Sequence, residues 1–305
     1  MERNMRVQAK QLAVYSGHTG SVYALAVDET AGLIYTSGAD GLVIRWDIKI
    51  FGEGKLLAKL AEAVHCLHIE LGQNRLWIGT AKGNVHVLDL NEKQEIKLFA
   101  AHSLALFDIK QLGNTVYSAG GDGCVVKYSV NELRIEKVVK LSDKSIRCLA
   151  LNPTKQNMAA GSSDASIYLL SENLEMYEEI KDAHESTVFS LVFTLDGSSL
   201  ISGGRDAMMQ VWDLSNGVTC KHKIAAHNLH VHSLSVQPAG KYLLSSSMDK
   251  TIKIWDLGNY SLLRVMDKQR HNAHVNAINK IAWISPHKFV SISDDRSVML
   301  WELHQ

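Results

Sequence analysis

The sequence predicts an all-β chain: a seven-bladed β-propeller of four-stranded antiparallel blades, closed by its own N-terminal strand. Three observations predict it. An aromatic or apolar residue ends a strand-like run at Trp46, Leu88, Tyr128, Leu170, Trp212, Trp255 and Trp301, at intervals of 42, 40, 42, 42, 43 and 46 residues. Six residues before each stands Asp40, Lys82, Asp122, Asp164, Asp206, Asp249 or Asp295, aspartate in six of seven places. The last repeat stops directly after its third strand, at Trp301-Glu302-Leu303-His304-Gln305, while the chain opens with a strand-like segment that has no repeat of its own. A fixed period of about 40–45 residues holding several short strands marks a propeller, because one such unit cannot bury its faces alone.

Within each repeat the strands are short apolar or alternating runs, broken at turns by Asn, Asp, Gly and Ser. Repeat one, residues 19–61, follows Gly17-His18 and reaches Trp46-Asp47. Repeat two, 62–100, has Lys82 and Leu88 at the marker positions and no histidine. Repeat three, 103–141, follows His102 and closes at Tyr128. Repeat four, 144–182, again lacks the histidine and closes at Leu170. Repeat five, 186–226, follows Ala183-His184. Its strands read as Thr187 to Thr194, Ser199 to Gly203, Met208 to Trp212 and a fourth near Val218 to Ile224, with Arg205-Asp206-Ala207 as a tight turn. Repeat six, 229–268, runs from Ala226-His227 to Trp255-Asp256, and repeat seven, 276–304, from His274 to Trp301-Glu302. Each histidine stands four residues before an apolar residue that opens the next strand (Val22, Leu106, Val188, Val231, Ile278), which selects His274 over His271.

Without a fourth strand, repeat seven would leave an open edge, which proteins avoid. The segment Lys10 to Ser16, within residues 9–16, is therefore expected to supply it. Residues 9–305 then form one domain, with Met1 to Gln8 as a short frayed tail, although length alone would allow two domains. No stretch has sustained helical periodicity.

Histidine, aspartate and tryptophan recurring together at set offsets give the chain its resemblance to the WD-repeat (WD40) family of transducin β-like propellers, over essentially its whole length. Trp46-Asp47, Trp212-Asp213 and Trp255-Asp256 carry it, with Trp301-Glu302 as a variant. In that family a hydroxyl on the second strand joins the set, and here Thr36, Ser118, Ser202, Ser245 and Ser291 stand four before the aspartate. A buried aspartate is costly unless its oxygens are hydrogen-bonded. Turn amides and the histidine can satisfy it, the other ring nitrogen can face the hydroxyl, and the hydroxyl can face the indole N–H. Complete sets are expected from His18, Asp40 and Trp46, from His184, Asp206 and Trp212, from His227, Asp249 and Trp255, and from His274, Asp295 and Trp301. His102 and Asp122 would use Tyr128. Repeats two and four would rely on apolar packing and be softer.

Composition narrows the function. Lys plus Arg and Asp plus Glu balance at 32 each, which argues against a nucleic-acid partner, since those binders carry a basic face. No apolar run approaches the roughly 20 residues of a membrane-spanning helix, so no membrane partner is expected. Met1-Glu2-Arg3-Asn4-Met5 lacks the apolar core of an export signal. Cys66, Cys124, Cys148 and Cys220 stand alone, without Cys-x-x-Cys pairs, and read as reduced thiols of a cytoplasmic protein. Cys66 and Cys148 share one position in the first strand, where small residues pack well.

No nucleophile elbow, phosphate loop or His-Glu-x-x-His motif is present, so no catalytic residue, cofactor or enzymatic activity is assigned. His227-Asn228-Leu229-His230-Val231-His232 and His271-Asn272-Ala273-His274 invite a zinc reading. Yet His227 and His274 are claimed by the repeat, and no nearby set completes three or four ligands. The regularly spaced aspartates read as structural.

The family resemblance places the first strand innermost, with its start at the narrower face. One position past each opening apolar residue come Tyr23, His65, Phe107, Arg147, Phe189, His232 and Asn279, expected to ring the mouth of the central channel. Family members mostly carry small polar residues at several of these places, whereas aromatics and arginine are what binding hot spots are made of. The alternative is that they merely plug the mouth. A second ring precedes each turn marker: Ala39, Ala81, Gly121, Ser163, Arg205, Met248 and Asp294. In it, Arg205, Met248 and Asp294 form an arc beside Phe189 and His232. The connection from Met266 to Ala277, with Lys268, Arg270 and His271, reads as a basic lip or an ordinary solvated loop. The function expected is a non-enzymatic scaffold, monomeric by itself, binding a partner protein or peptide at the narrower face. The alternatives are a lactonase- or hydrolase-type propeller enzyme and a small-ligand sensor at the channel mouth.

Overall fold

The computed structural model describes residues 7–50 and 52–304 and consists of seven four-stranded antiparallel sheets. Blade one is Val22–Asp28, Leu33–Gly38, Leu42–Asp47 and Lys55–Lys59. Blade five, typical of the rest, is Val188–Phe193, Ser199–Gly204, Met208–Asp213 and Thr219–Ala225, within two residues of the sequence reading at every boundary. Each innermost strand packs on the next, and that of blade seven returns to that of blade one, so the sheets form a closed ring. The described residues include one α-helical turn, Lys268–His271, capped by the Asp267 carboxylate accepting from the Arg270 amide at 2.8 Å.

Closure is by the N-terminal strand. Gln8–Tyr15 runs antiparallel along Val298–His304, from Gln8 opposite His304 to Tyr15 opposite Val298. The sheet order puts it outermost on blade seven. The frayed tail needs correction at its C-terminal end: Gln8 is already paired, and Val7 is buried between blades six and seven. A strand extends as far as its partner offers a ladder, and His304 offers one further than the apolar pattern showed. The rest of that tail, residues 1–6, lies outside the described residues.

The core is a set of seven slabs between adjacent blades rather than one globule. Alternate residues of a strand face opposite sides of its sheet, so in blade five Leu200 packs toward blade four and Ile201 toward blade six. Both sides being buried explains the near-continuous apolar runs. The residue that closes each third strand always faces the preceding blade: Trp212 packs on blade four, Trp255 on five, Trp301 on six and Trp46 on seven.

The recurrent polar set lies inside the blades. In blade five the His184 Nδ1 stands 3.0 Å from Asp206, its Nε2 is 2.8 Å from Ser202 Oγ, and Trp212 Nε1 donates to that oxygen at 2.9 Å. Glu185 and Met208 amides also donate to Asp206, both at 3.1 Å. The same chain links Trp46 to Thr36, His18 and Asp40, Trp255 to Ser245, His227 and Asp249, and Trp301 to Ser291, His274 and Asp295. In blade three the Tyr128 hydroxyl replaces the indole, 2.8 Å from Ser118. With the indole donating to the hydroxyl, the hydroxyl donates to Nε2, and Nδ1–H donates to the carboxylate, so a neutral imidazole satisfies every member. Burial accordingly pushes the pKa of His18, His184 and His227 down, against the raising effect of the aspartates. The rings lie flush on the strand: a Cβ on Gly204 would stand 2.3 Å from His184 Nδ1.

The residue after each turn marker has a left-handed backbone in every blade. It is glycine at 41, 83 and 123 (φ +67°, +84°, +80°) but Ala165, Ala207, Lys250 and Arg296 in the others (φ +76°, +65°, +71°, +70°). Each non-glycine residue there costs roughly 1–2 kcal/mol, which the hydrogen bonds of the turn offset.

Blade four departs from the expectation of apolar packing alone. Ser142 Oγ donates to Asp164 from the loop where the histidine would stand, and the Tyr168 hydroxyl donates to the same carboxylate at 2.7 Å. Burial, then Asp164, pushes the Tyr168 phenol up to about 12. Blade two does match: Lys82 points outward to Glu62 at 3.1 Å, largely exposed, and Leu88 is buried against blade one.

Candidate functional site

The first strand of every blade opens with a register slip. Pairing jumps from Val22 to Ala24, Val64 to Cys66, Leu106 to Asp108, Ile146 to Cys148, Val188 to Ser190, Val231 to Ser233 and Ile278 to Lys280. The residue skipped each time is Tyr23, His65, Phe107, Arg147, Phe189, His232 or Asn279. An extra residue in one strand kinks it and re-aims a side chain. Seven such kinks at one level bring the seven side chains together at one end of the channel, where with Lys280 they line a cavity of about 330 Å³. The opening Val, Leu or Ile beside each stays in the core.

Their geometry is a run of stacked rings. Tyr23 meets His65 edge-on with centroids 5.6 Å apart, and His65 stacks on Phe107 at 5.8 Å and 8°. The Arg147 guanidinium lies 3.7 Å from the Phe107 centroid and 5.3 Å from that of Phe189. Phe189 then meets His232 edge-on at 5.6 Å. Asn279 closes the circle by donating to the Val22 carbonyl at 2.9 Å and to Asp294 at 2.8 Å. Burial, then Arg147, pushes His65 below the ordinary histidine pKa, and burial also lowers His232 and Arg147. Among the described residues His65 and His232 each keep a buried Nδ1 without a partner.

The second ring sits directly beside the first. Its amides donate to the carbonyl two residues before each mouth side chain: Ala39 to Ser21, Ala81 to Ala63, Gly121 to Ala105, Ser163 to Ser145, Arg205 to Thr187, Met248 to His230 and Asp294 to Ala277, at 2.7–3.1 Å. Arg205 and Met248 are exposed there, whereas Asp294 is half-buried against Asn279. The basic connection lies partly at the outer rim, because Gln11 on the outermost strand donates to the Asn272 carbonyl.

Sequence reasoning missed four residues of this region. His230 stacks on Phe189 at 5.6 Å and extends the run of rings outward. It precedes the opening valine, a place the repeat pattern leaves unmarked. Lys280 enters the cavity, and one layer deeper Asp108 puts a carboxylate in the channel wall. Asp108 accepts from the Leu149 amide at 2.9 Å and the Ile109 amide at 3.0 Å, with Lys110 at 3.4 Å and Lys280 at 3.9 Å. Ser190 occupies the equivalent place and accepts from the Leu234 amide, so this position ties one blade to the next. Alignment of the repeats would have found it.

Among the described residues no group of three or more His, Cys, Asp or Glu is placed to hold a metal ion, and no helix is long and apolar enough to cross a membrane. Cys66 and Cys148 are buried, Cys124 is half-buried, Cys220 is exposed, and all four are free thiols.

The family profile described as "WD domain, G-beta repeat" matches residues 9–47, 136–170, 177–213, 218–256 and 267–302. Blades two and three, where the marker set is incomplete, fall mostly outside it. WD repeat-containing protein 90 of Xenopus tropicalis is 25% identical over 154 residues, 47% of this chain and 8% of that protein. An F-box/WD-40 repeat-containing protein of Arabidopsis thaliana is 25% identical over 214 residues, 65% of this chain and 38% of that one. Eukaryotic translation initiation factor 3 subunit I of Emericella nidulans is 25% identical over 220 residues, 66% of this chain and 65% of that one. The chain thus spans well under half the length of the first two.

Proposed function

Because the chain belongs to the WD-repeat family, whose propellers are generally protein-interaction scaffolds, we propose that it is a non-enzymatic scaffold holding a partner protein or peptide at its narrower face. The observation that carries this reading is the cavity at the mouth, where three aromatic rings, two imidazoles and an arginine meet. Such side chains present large rigid contact area with polar ends, the composition of binding hot spots. Exposed Leu104, Leu229, Met248 and Val275, on the loops around that mouth, add apolar surface. One relative is named as a subunit of a larger factor, which agrees with a role inside an assembly. Residues from Val7 onward then act as one domain, a cytoplasmic monomer when unbound.

Affinity capture from the native cell tests the reading. Alanine at Phe107, Phe189 and Arg205 together should remove the main partner from the captured set, with a melting temperature close to that of the parent chain. An unchanged set, or loss of folding, sinks it.

A further inference from the structure

We propose that the mouth selects an acidic side chain, an aspartate or glutamate of an extended peptide, and that Arg147 receives its carboxylate. The inference rests on the partner-binding reading and adds the sign of the charge that the partner brings. Among the described residues the Arg147 side chain makes no hydrogen bond or ion pair, only its two contacts with the Phe107 and Phe189 rings. Its guanidinium is half-buried, and the ring contacts leave its N–H donors unspent. A cation withdrawn from water is costly until an anion answers it.

The neighbours supply no such anion. Among the described residues the cavity lining holds Arg147, Lys280, His65 and His232, and no carboxylate. The two nearest acids are engaged elsewhere, Asp108 by two amides and two lysines, and Asp294 by the Asn279 amide. Aromatic rings at a channel mouth would ordinarily invite a cation. Here Arg147 already lies against Phe107 and reaches Phe189, so an incoming lysine or arginine would meet like charge. A carboxylate can take two parallel N–H bonds from a guanidinium, while Tyr23, Phe107 and Phe189 flank its aliphatic stem. The mixture of apolar wall and two fixed cations suits a monoanion on a short chain.

The test uses the intact chain and short labelled peptide pools, identical and randomised over small and apolar residues except at a central Glu, Gln, Lys or phosphoserine, read by fluorescence anisotropy. The Glu pool should bind roughly tenfold tighter than the Gln and Lys pools, as expected for a desolvated charge pair. Arg147→Gln should erase that preference and Arg147→Lys restore part of it, at unchanged melting temperature. Preference for the Lys pool overturns the proposal, as does a phosphoserine pool that outbinds Glu by the same margin. Equal binding of all pools, lost in Phe107→Ala, also overturns it while leaving the mouth as a docking site. Failure of every pool to bind, or binding indifferent to mouth substitutions, removes both readings.

Discussion

Blades four and five stand side by side and close the same turn with different chemistry. In blade five a carboxylate, an imidazole, a hydroxyl and an indole form one chain from the connecting loop through two strands. In blade four a serine and a tyrosine reach the carboxylate directly, and Leu170 ends the third strand with apolar contact only. Blade two goes further and places no buried acid at the turn, Lys82 facing solvent there. The comparison separates two roles that the repeated motif combines. Packing on the preceding blade needs only a large apolar residue, which all three blades have. Locking the loop to the blade needs a buried acid with its donors, and that can be arranged in more than one way or left out.

The largest expected effect comes from removing the acid where the chain is complete. Asp206→Ala strands the His184 ring N–H and the Glu185 and Met208 amides without an acceptor, and should cost about 3 kcal/mol, the sum of several donors left partly unsatisfied. Lys82→Ala, at the same place in blade two, should change stability by less than about 1 kcal/mol, as for an ion pair whose cation is largely exposed. Urea unfolding of the two variants measures the contrast. Equal losses would mean that the turn position matters for a reason other than the buried acid.

The contrast also shows what a linear sequence displays. The ring count, the blade limits and the closing strand rest on features repeated seven times or on a missing strand, and both are visible one residue at a time. The seven mouth positions were legible for the same reason. What turns them toward the channel was not: a register slip exists only between two paired strands, and neither strand alone shows it. Ser142 and Tyr168 were missed because their types differ from the repeated ones although their oxygens reach the same carboxylate. His230 and Asp108 were missed because each is peculiar to one blade: the place of His230 is otherwise held by small residues such as Ala63 and Ser145, and that of Asp108 mostly by small ones such as Cys66 and Ser190. Pattern finds what recurs, and the features peculiar to one blade had to come from geometry.

A smaller effect tests whether blade four's substitute is a true equivalent. Ser142→Ala removes one of the donors to Asp164 and leaves the Tyr168 hydroxyl and the Ser166 amide, which donate at 2.7 and 2.9 Å. The loss should be about 1 kcal/mol, the worth of one hydrogen bond with its acceptor still partly satisfied. Ser202→Ala in blade five breaks the chain at its middle, leaving both the His184 ring nitrogen and the buried Trp212 N–H without a partner, and should cost two to three times as much, about 2–3 kcal/mol. Hydrogen exchange should then show blade five amides loosening more than those of blade four. The reverse order would make the serine–tyrosine pair the stronger lock.

The smallest effect is expected near neutral pH, and its sign follows from the imidazoles. His18, His184 and His227 have pKa values below the ordinary 6.5 because burial disfavours their charged form more than the aspartates favour it. The unfolded chain therefore binds protons more readily at these sites, so stability falls as pH drops through 6.5 toward the folded values. The aspartates act in the same direction at lower pH. Burial would raise Asp40, Asp206 and Asp249, but hydrogen bonds from turn amides and histidine outweigh it and hold all three below the usual carboxylate value. Their contribution is present above the unfolded value of 3.8 and is lost as pH falls through it toward the folded ones. The urea midpoint should thus decline modestly on mild acidification and steeply in the carboxylate range, while histidine C–H resonances from blades one, five and six titrate below their unfolded positions. A midpoint that rose on mild acidification would mean that the imidazoles are charged in the fold, and the chain from indole to carboxylate would then have to be rewritten with a proton donated at both ring nitrogens.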